Sequence, residues 1–109
     1  MPLIAATRNA MLDSLTITHA SLHTGDPGTT GANEVAGGTY ARQAVTMAAA
    51  SNGTRSASNQ PIFNVPAATT VAYIGLWNNS TFLGSADPVD EVFSNAGTYT
   101  VTAITIGVS

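Results

Sequence analysis

Seven residues, Val71-Ala72-Tyr73-Ile74-Gly75-Leu76-Trp77, constrain this chain more tightly than any other stretch. Read as a strand, they place Val71, Tyr73 and Trp77 on one face and Ala72, Ile74 and Leu76 on the other, because successive side chains alternate. Both faces are apolar, so the strand must be covered twice. One cover is its own core; the other is the helix or a second subunit. In 109 residues there is room for one domain only. The expected organisation is a single domain over 1–109, with a helical N-terminal segment over 1–15 and a β-sandwich over 18–109.

The segment Leu3 to Leu15 carries apolar residues at Leu3, Ile4, Met11, Leu12 and Leu15, with Ala5, Ala6 and Ala10 among them. Helical spacing and good helix formers predict one short helix that ends near Ser14, where the β-branched Thr16-Ile17-Thr18 begins. The rest of the chain reads as strands and turns. Thr18–Thr24 is expected to turn Ala20 and Leu22 inward and His19, Ser21 and His23 outward. Gly25-Asp26-Pro27-Gly28 stops it with strong turn chemistry. Further strands are expected at Thr39–Ala48, Thr54–Ser58, Ile62–Val65, Thr70–Trp77, Thr81–Gly84 and Thr98–Ile106, with a tight hairpin at Asn52-Gly53. In the last of these, Thr98, Thr100 and Thr102 share a face that Ile104 and Ile106 then continue. A β-bulge or a covering partner would account for that change. Fold class follows from the pattern: mainly β, a compact antiparallel β-sandwich or barrel of jelly-roll-like kind, with a short N-terminal helix.

Charge narrows the function. Only 8% of residues are charged, and the three cations are Arg8, Arg42 and Arg55, with no lysine. That supply cannot build a phosphate-binding stripe, so no nucleic-acid partner is expected. No apolar run approaches the length of a membrane span, and no membrane partner is expected. The polar surface must be Thr, Ser, Asn and Gln, which repels other proteins weakly. Such a composition suits a subunit resting against neighbours. Cysteine is absent, so no disulfide or thiolate site exists.

Catalytic chemistry is thinly supplied. His19 and His23 stand four apart; along a strand that is roughly 13 Å, too far to share one metal ion. Asp87-Pro88-Val89-Asp90-Glu91 gathers three carboxylates, but its spacing is that of a solvated turn before Val92-Phe93, not of a calcium loop. There is no Gly-x-Ser-x-Gly elbow and no His-Glu-x-x-His motif. The chain is expected to have no enzymatic activity, cofactor or metal. Trp77 offers a stacking face for a sugar, or a core or interface anchor; its alternation with Tyr73 and Val71 favours the anchor. Arg42, beside Tyr40, is placed to pair with Glu34, to stack on an aromatic ring, or to lie on its own sheet.

The run Leu22-His23-Thr24-Gly25-Asp26-Pro27-Gly28, then Glu34-Val35-Ala36-Gly37-Gly38-Thr39-Tyr40-Ala41-Arg42-Gln43, with Gly75-Leu76-Trp77 and Phe82-Leu83-Gly84 later, resembles a family of small tailed-bacteriophage virion proteins of head-decoration, minor-tail or tail-fibre-like kind. The resemblance implies structural work in the virion and carries over no catalytic residue. With the short length and the lack of heptads, it leads to the expectation of a capsid decoration protein. That protein would assemble as a small symmetric homo-oligomer, a trimer favoured, and lie on the head surface, stabilising the shell through the major capsid protein or other virion proteins. A minor tail or tail-tip subunit, or a host-glycan-binding module using Trp77 or Tyr40, are the alternatives. Without lysine the chain cannot supply the amine of a Lys–Asn cross-link, so non-covalent docking is expected. Tyr40, Arg42, Trp77, Ile104 and Ile106 are the candidate subunit or capsid contacts.

Overall fold

The structure, a computed structural model, describes residues 4–107. Its elements are a helix α1 (Ala5–Ser14) and ten strands: β1 (His19–His23), β2 (Gln43–Ala44), β3 (Thr54–Ser56), β4 (Ile62–Val65), β5 (Thr69–Val71), β6 (Tyr73–Asn78), β7 (Thr81–Ala86), β8 (Glu91–Phe93), β9 (Gly97–Thr100) and β10 (Thr105–Gly107). The chain is mainly β, every strand pairing is antiparallel, and one short helix precedes them, as the sequence pattern predicts.

From β3 onward the polypeptide is one long nested hairpin. β3 pairs with β10, β4 with β9, β5 with β8 and β6 with β7, closing at Asn79-Ser80. β1 adds to the free side of β6 and β2 to β1, giving a four-stranded sheet in the order β2-β1-β6-β7. The three outer pairs are two-stranded ribbons, a form barely stable by itself in water. They are anchored by the core: Phe63 and Val65 of β4, Val71 of β5, Val101 and Ile104 pack with Ala20 and Leu22 of β1, Ile17, Val35 and Val45.

Local chemistry explains most of the joints. Asn52 (φ 54°) and Gly53 (φ 76°) are both left-handed, the backbone that a two-residue hairpin turn requires. Ser51 and Thr54 on either side exchange N–H···O bonds of 2.8 and 3.0 Å. After β1, the Gly28 N–H donates to Asp26 Oδ1 at 2.9 Å, and the N–H groups of Gly31 and Ala32 both reach Pro27 O.

Several expectations need correction. Helix α1 does not bury its apolar positions: Leu12 alone is buried, whereas Ile4, Met11 and Leu15 are exposed, and Leu3 lies outside the described residues. Polar bonds dock it instead. Arg55 Nη1 donates to Leu12 O and Leu15 O, Gly53 N–H to Asn9 Oδ1, and Ala50 N–H to Asp13 Oδ1. The predicted strand over Thr70–Trp77 breaks at Ala72, whose N–H turns to His23 O. Thr39–Ala48 contracts to β2 plus a lone bridge between Met47 and Ala57, and Glu91-Val92-Phe93 is a strand rather than the sequel to a turn. The face change near the C-terminus has a structural cause within the chain. The ladder slips by one residue between Thr100↔Ile62 and Thr105↔Ser56, leaving Thr102 and Ala103 exposed in succession and turning Ile104 inward.

Candidate functional site

The largest correction concerns β1. Ala20 and Leu22 face the core as expected, but Ser21 and His23, expected outward, are also 0% exposed, and His19 is half-buried. The second cover is the chain's own loop between β1 and β2. This loop folds back over the face that carries Ser21, His23, Gly75 and Trp77, so the strand is buried twice without a partner.

Beneath the loop the polar groups are paired in series. Ala32 O lies 2.8 Å from His23 Nδ1. A carbonyl can only accept, so Nδ1 is the donor, and in a neutral ring Nε2 is then left as acceptor. Ser21 Oγ, 2.6 Å away, donates to Nε2 and accepts from Trp77 Nε1–H at 2.7 Å. Every buried polar atom in that chain of bonds is satisfied, as burial demands. Phe82 closes the side, edge-on to Trp77 at 5.1 Å and to His23 at 6.1 Å between ring centroids.

Glycines make this packing possible. A Cβ on Gly75 would stand 2.5 Å from Ser21 Oγ and 2.6 Å from His23 Nε2. On Gly31 (φ 80°) it would meet the Trp77 ring at 2.5 Å.

A second group of residues closes the outer side. Arg42 lies over the Trp77 ring and forks onto Glu34, with Nε 3.0 Å from Oε2 and Nη2 2.9 Å from Oε1. Two of the three modes weighed for Arg42, pairing with Glu34 and stacking on an aromatic ring, therefore occur at once. Tyr40 donates to Glu34 Oε2 at 2.9 Å, accepts from Leu22 N–H at 2.9 Å and stacks on Phe63. With Val35 N–H on Leu22 O, it completes the edge of β1 where the short β2 has ended. Burial alone would raise the Glu34 carboxyl, but hydrogen bonds from Arg42 and Tyr40, with the Arg42 charge, hold it below its usual range. Burial pushes the Tyr40 hydroxyl up, against the Leu22 amide and with help from the Glu34 carboxylate.

A serine hydroxyl 2.6 Å from a histidine nitrogen has the spacing of a nucleophile and its base. Here both side chains are sealed, and Ser21 also receives the Trp77 N–H. The arrangement is built to hold the loop to the sheet. Trp77, 5% exposed beneath Arg42 and Gly31, has no open ring face for a sugar.

The five candidate contact residues thus divide. Tyr40, Arg42 and Trp77 form the loop-to-sheet network. Ile104 (8% exposed) and the half-buried Ile106 lie elsewhere, on the walls of a groove between β7 and β10. The groove consists of two adjoining cavities of about 240 and 230 Å³. Ile74, Leu76, Leu83, Ile104, Ile106 and Leu15 contribute its apolar lining, and no charged residue lines either cavity. Of these, sequence reasoning named Ile104 and Ile106 as contacts and placed Ile74 and Leu76 on an apolar strand face that needs cover; that Leu83 and Leu15 join them follows from the nested hairpin, which no local signal reveals.

A family model described as Podophage GP4 fiber I protein gp80 matches residues 3–87. The chain belongs to that family. The match runs from the helix through β7 and takes in the whole loop-to-sheet network, while β8, β9 and β10 lie beyond it. Membership makes the chain a tailed-phage structural protein of the virion. No curated protein and no solved structure matches the chain.

Proposed function

We propose that the chain is a structural subunit of a podophage tail-fibre assembly. It docks non-covalently to copies of itself and to neighbouring virion proteins, without catalytic activity. Membership in a family whose model is described as a fibre protein supports this reading. The shape agrees with it: the molecule measures 46 × 25 × 25 Å, longer than it is wide, as a piece of an extended assembly is. The chemistry agrees as well. Among the described residues, the one serine–histidine pair joined side chain to side chain by a hydrogen bond is sealed, and the cations are too few for nucleic acid.

Antibody labelling of intact particles by electron microscopy, with mass spectrometry of the purified virion, tests the proposal. Label on the tail fibres is the expected result. Label over the head would transfer the subunit to capsid decoration, the placement that the sequence alone favours. A particle without the polypeptide would refute a virion role altogether.

A further inference from the structure

We propose that Asn52 is the site at which this chain ages by deamidation, and that Asn9 of α1 is the guard that holds the reaction back in the folded protein. The inference concerns the folded chain alone and stands whichever virion structure it builds.

The fold demands the most reactive asparagine dipeptide at this turn. Both of its residues are left-handed, Asn52 at φ 54° and Gly53 at φ 76°, a conformation open to asparagine and glycine and costly for most others. Packing then fixes the second position. A Cβ built on Gly53 would stand 2.7 Å from Arg8 Nε and 3.0 Å from its Cζ, so α1 leaves no room for a side chain there. Glycine's amide nitrogen is the least hindered nucleophile that can follow an asparagine. Asn52-Gly53 is the only Asn-Gly pair in the sequence, and Asn52 is exposed.

In the reaction the Gly53 nitrogen gives up its proton and attacks Asn52 Cγ. The N–C bond forms, the bond from Cγ to the side-chain nitrogen breaks, and that nitrogen leaves as ammonia with the proton. Water then opens the five-membered imide at either carbonyl, leaving aspartate or isoaspartate at position 52. No oxidant, reductant or cofactor enters. Isoaspartate carries the main chain through an extra methylene, which a two-residue turn with Ser51 and Thr54 bonded across it cannot absorb in place.

Everything therefore depends on the Gly53 nitrogen, and that nitrogen is occupied. Its N–H donates to Asn9 Oδ1 at 2.8 Å, across 44 residues of sequence, and Gly53 is buried although Asn52 beside it is exposed. A hydrogen bond from the amide stabilises its protonated form and keeps the nitrogen from attack. The neighbouring charge acts the other way, since the guanidinium of Arg8 against Gly53 favours the amide anion. Asn9 is what opposes it. Asn79 makes the contrast: it too is left-handed, at φ 53°, but Ser80 follows it, and a side chain there hinders the nitrogen.

Incubation of the full chain in mildly alkaline buffer, followed by peptide mass mapping and enzymatic methylation of isoaspartate, tests the guard. Wild type should keep Asn52 while folded and lose it quickly in urea. Asn9→Ala should lose Asn52 roughly tenfold faster than wild type under native conditions, the factor that a hydrogen bond worth about 1.4 kcal/mol carries. Asn9→Asp, which keeps an acceptor for the Gly53 N–H, should stay near wild type. Ser21→Ala separates the guard from general loosening: it weakens the loop-to-sheet network, leaves the bond to Gly53 in place and should not change the rate at Asn52. Circular dichroism checks that each variant is folded, and slow hydrogen exchange of the Gly53 amide in wild type reads the bond without any variant. A wild-type chain that deamidates as fast folded as unfolded, or whose Gly53 amide exchanges freely, would overturn the proposal. So would an Asn9→Ala chain no faster than wild type, or a Ser21→Ala chain that accelerates as much.

Discussion

The guanidinium carbon of Arg42 sits 3.5 Å from the centroid of the Trp77 ring, while two of its nitrogens hold Glu34. Planarity is what allows both contacts at once, and lysine has no equivalent. Arg42→Lys should therefore lower stability by about 1 kcal/mol or more and Arg42→Ala by about 2 kcal/mol, from the loss of a stacked cation and a charge-assisted fork. Urea unfolding followed by tryptophan fluorescence measures both, since Trp77 is the only tryptophan. Equal stability of wild type and Arg42→Lys would show that the fork and stack carry no weight.

Removing the Ser21 hydroxyl strands two buried partners, Trp77 Nε1–H and His23 Nε2. An unpaired buried polar group costs about 1–3 kcal/mol, so Ser21→Ala should destabilise by about 2–4 kcal/mol. The same change at the exposed Ser94 should stay within about 0.5 kcal/mol. Chemical denaturation of the two variants side by side makes the comparison.

Two glycines in neighbouring strands should respond oppositely to alanine. Gly75→Ala drives a methyl into Ser21 and His23, whereas Gly84→Ala meets open space. Overpacking of this kind typically costs about 1–3 kcal/mol. The expected result is a lowered melting temperature for Gly75→Ala and one at or slightly above wild type for Gly84→Ala, since alanine loses less backbone entropy on folding.

These contrasts also show what the sequence could and could not reveal. Turn chemistry was legible: Asn52-Gly53 and Asp26-Pro27-Gly28 dictate their backbone locally, and the β4 bounds Ile62–Val65 follow from simple alternation. That both faces of β6 need cover was legible too, because both are apolar, although Ile74 and Leu76 on one of them stay half-buried along the groove. What covers the second face was not. Ser21 and His23 look like solvent-facing residues by alternation, and only a loop returning from residues 24–42 makes them interior. β8 escaped notice for a similar reason: acidic neighbours mask Glu91-Val92-Phe93, and its pairing with β5 is fixed by the nested register, a long-range property. Helix α1 misled in the other direction, with apolar spacing that points to a buried face where Arg55, Asn9 and Asp13 form the bonds.

Acid should loosen the loop. The Glu34 carboxyl is held below the usual value of 4.5, so below that pH the unfolded chain binds the proton more readily than the folded one. The stabilisation is complete above about 4.5 and is lost as pH falls through the depressed folded value. Tyr40 works at the other end: its hydroxyl is pushed above the usual 10.0, so its contribution is present below that pH and is lost as pH rises beyond it. Glu34→Gln should flatten the acid limb of a stability–pH profile, and Tyr40→Phe the alkaline limb. An unchanged acid limb in Glu34→Gln would place the acid sensitivity elsewhere.

The proposed role makes this chain part of a phage fibre, with its polar chemistry closed inside and its contacts made through uncharged surface. Cryo-electron microscopy of the intact particle tests it most directly. The account predicts tail-fibre density that accepts residues 4–107 as they stand, with the loop closed over Trp77. A fibre reconstruction that is fully assigned without this chain would contradict it.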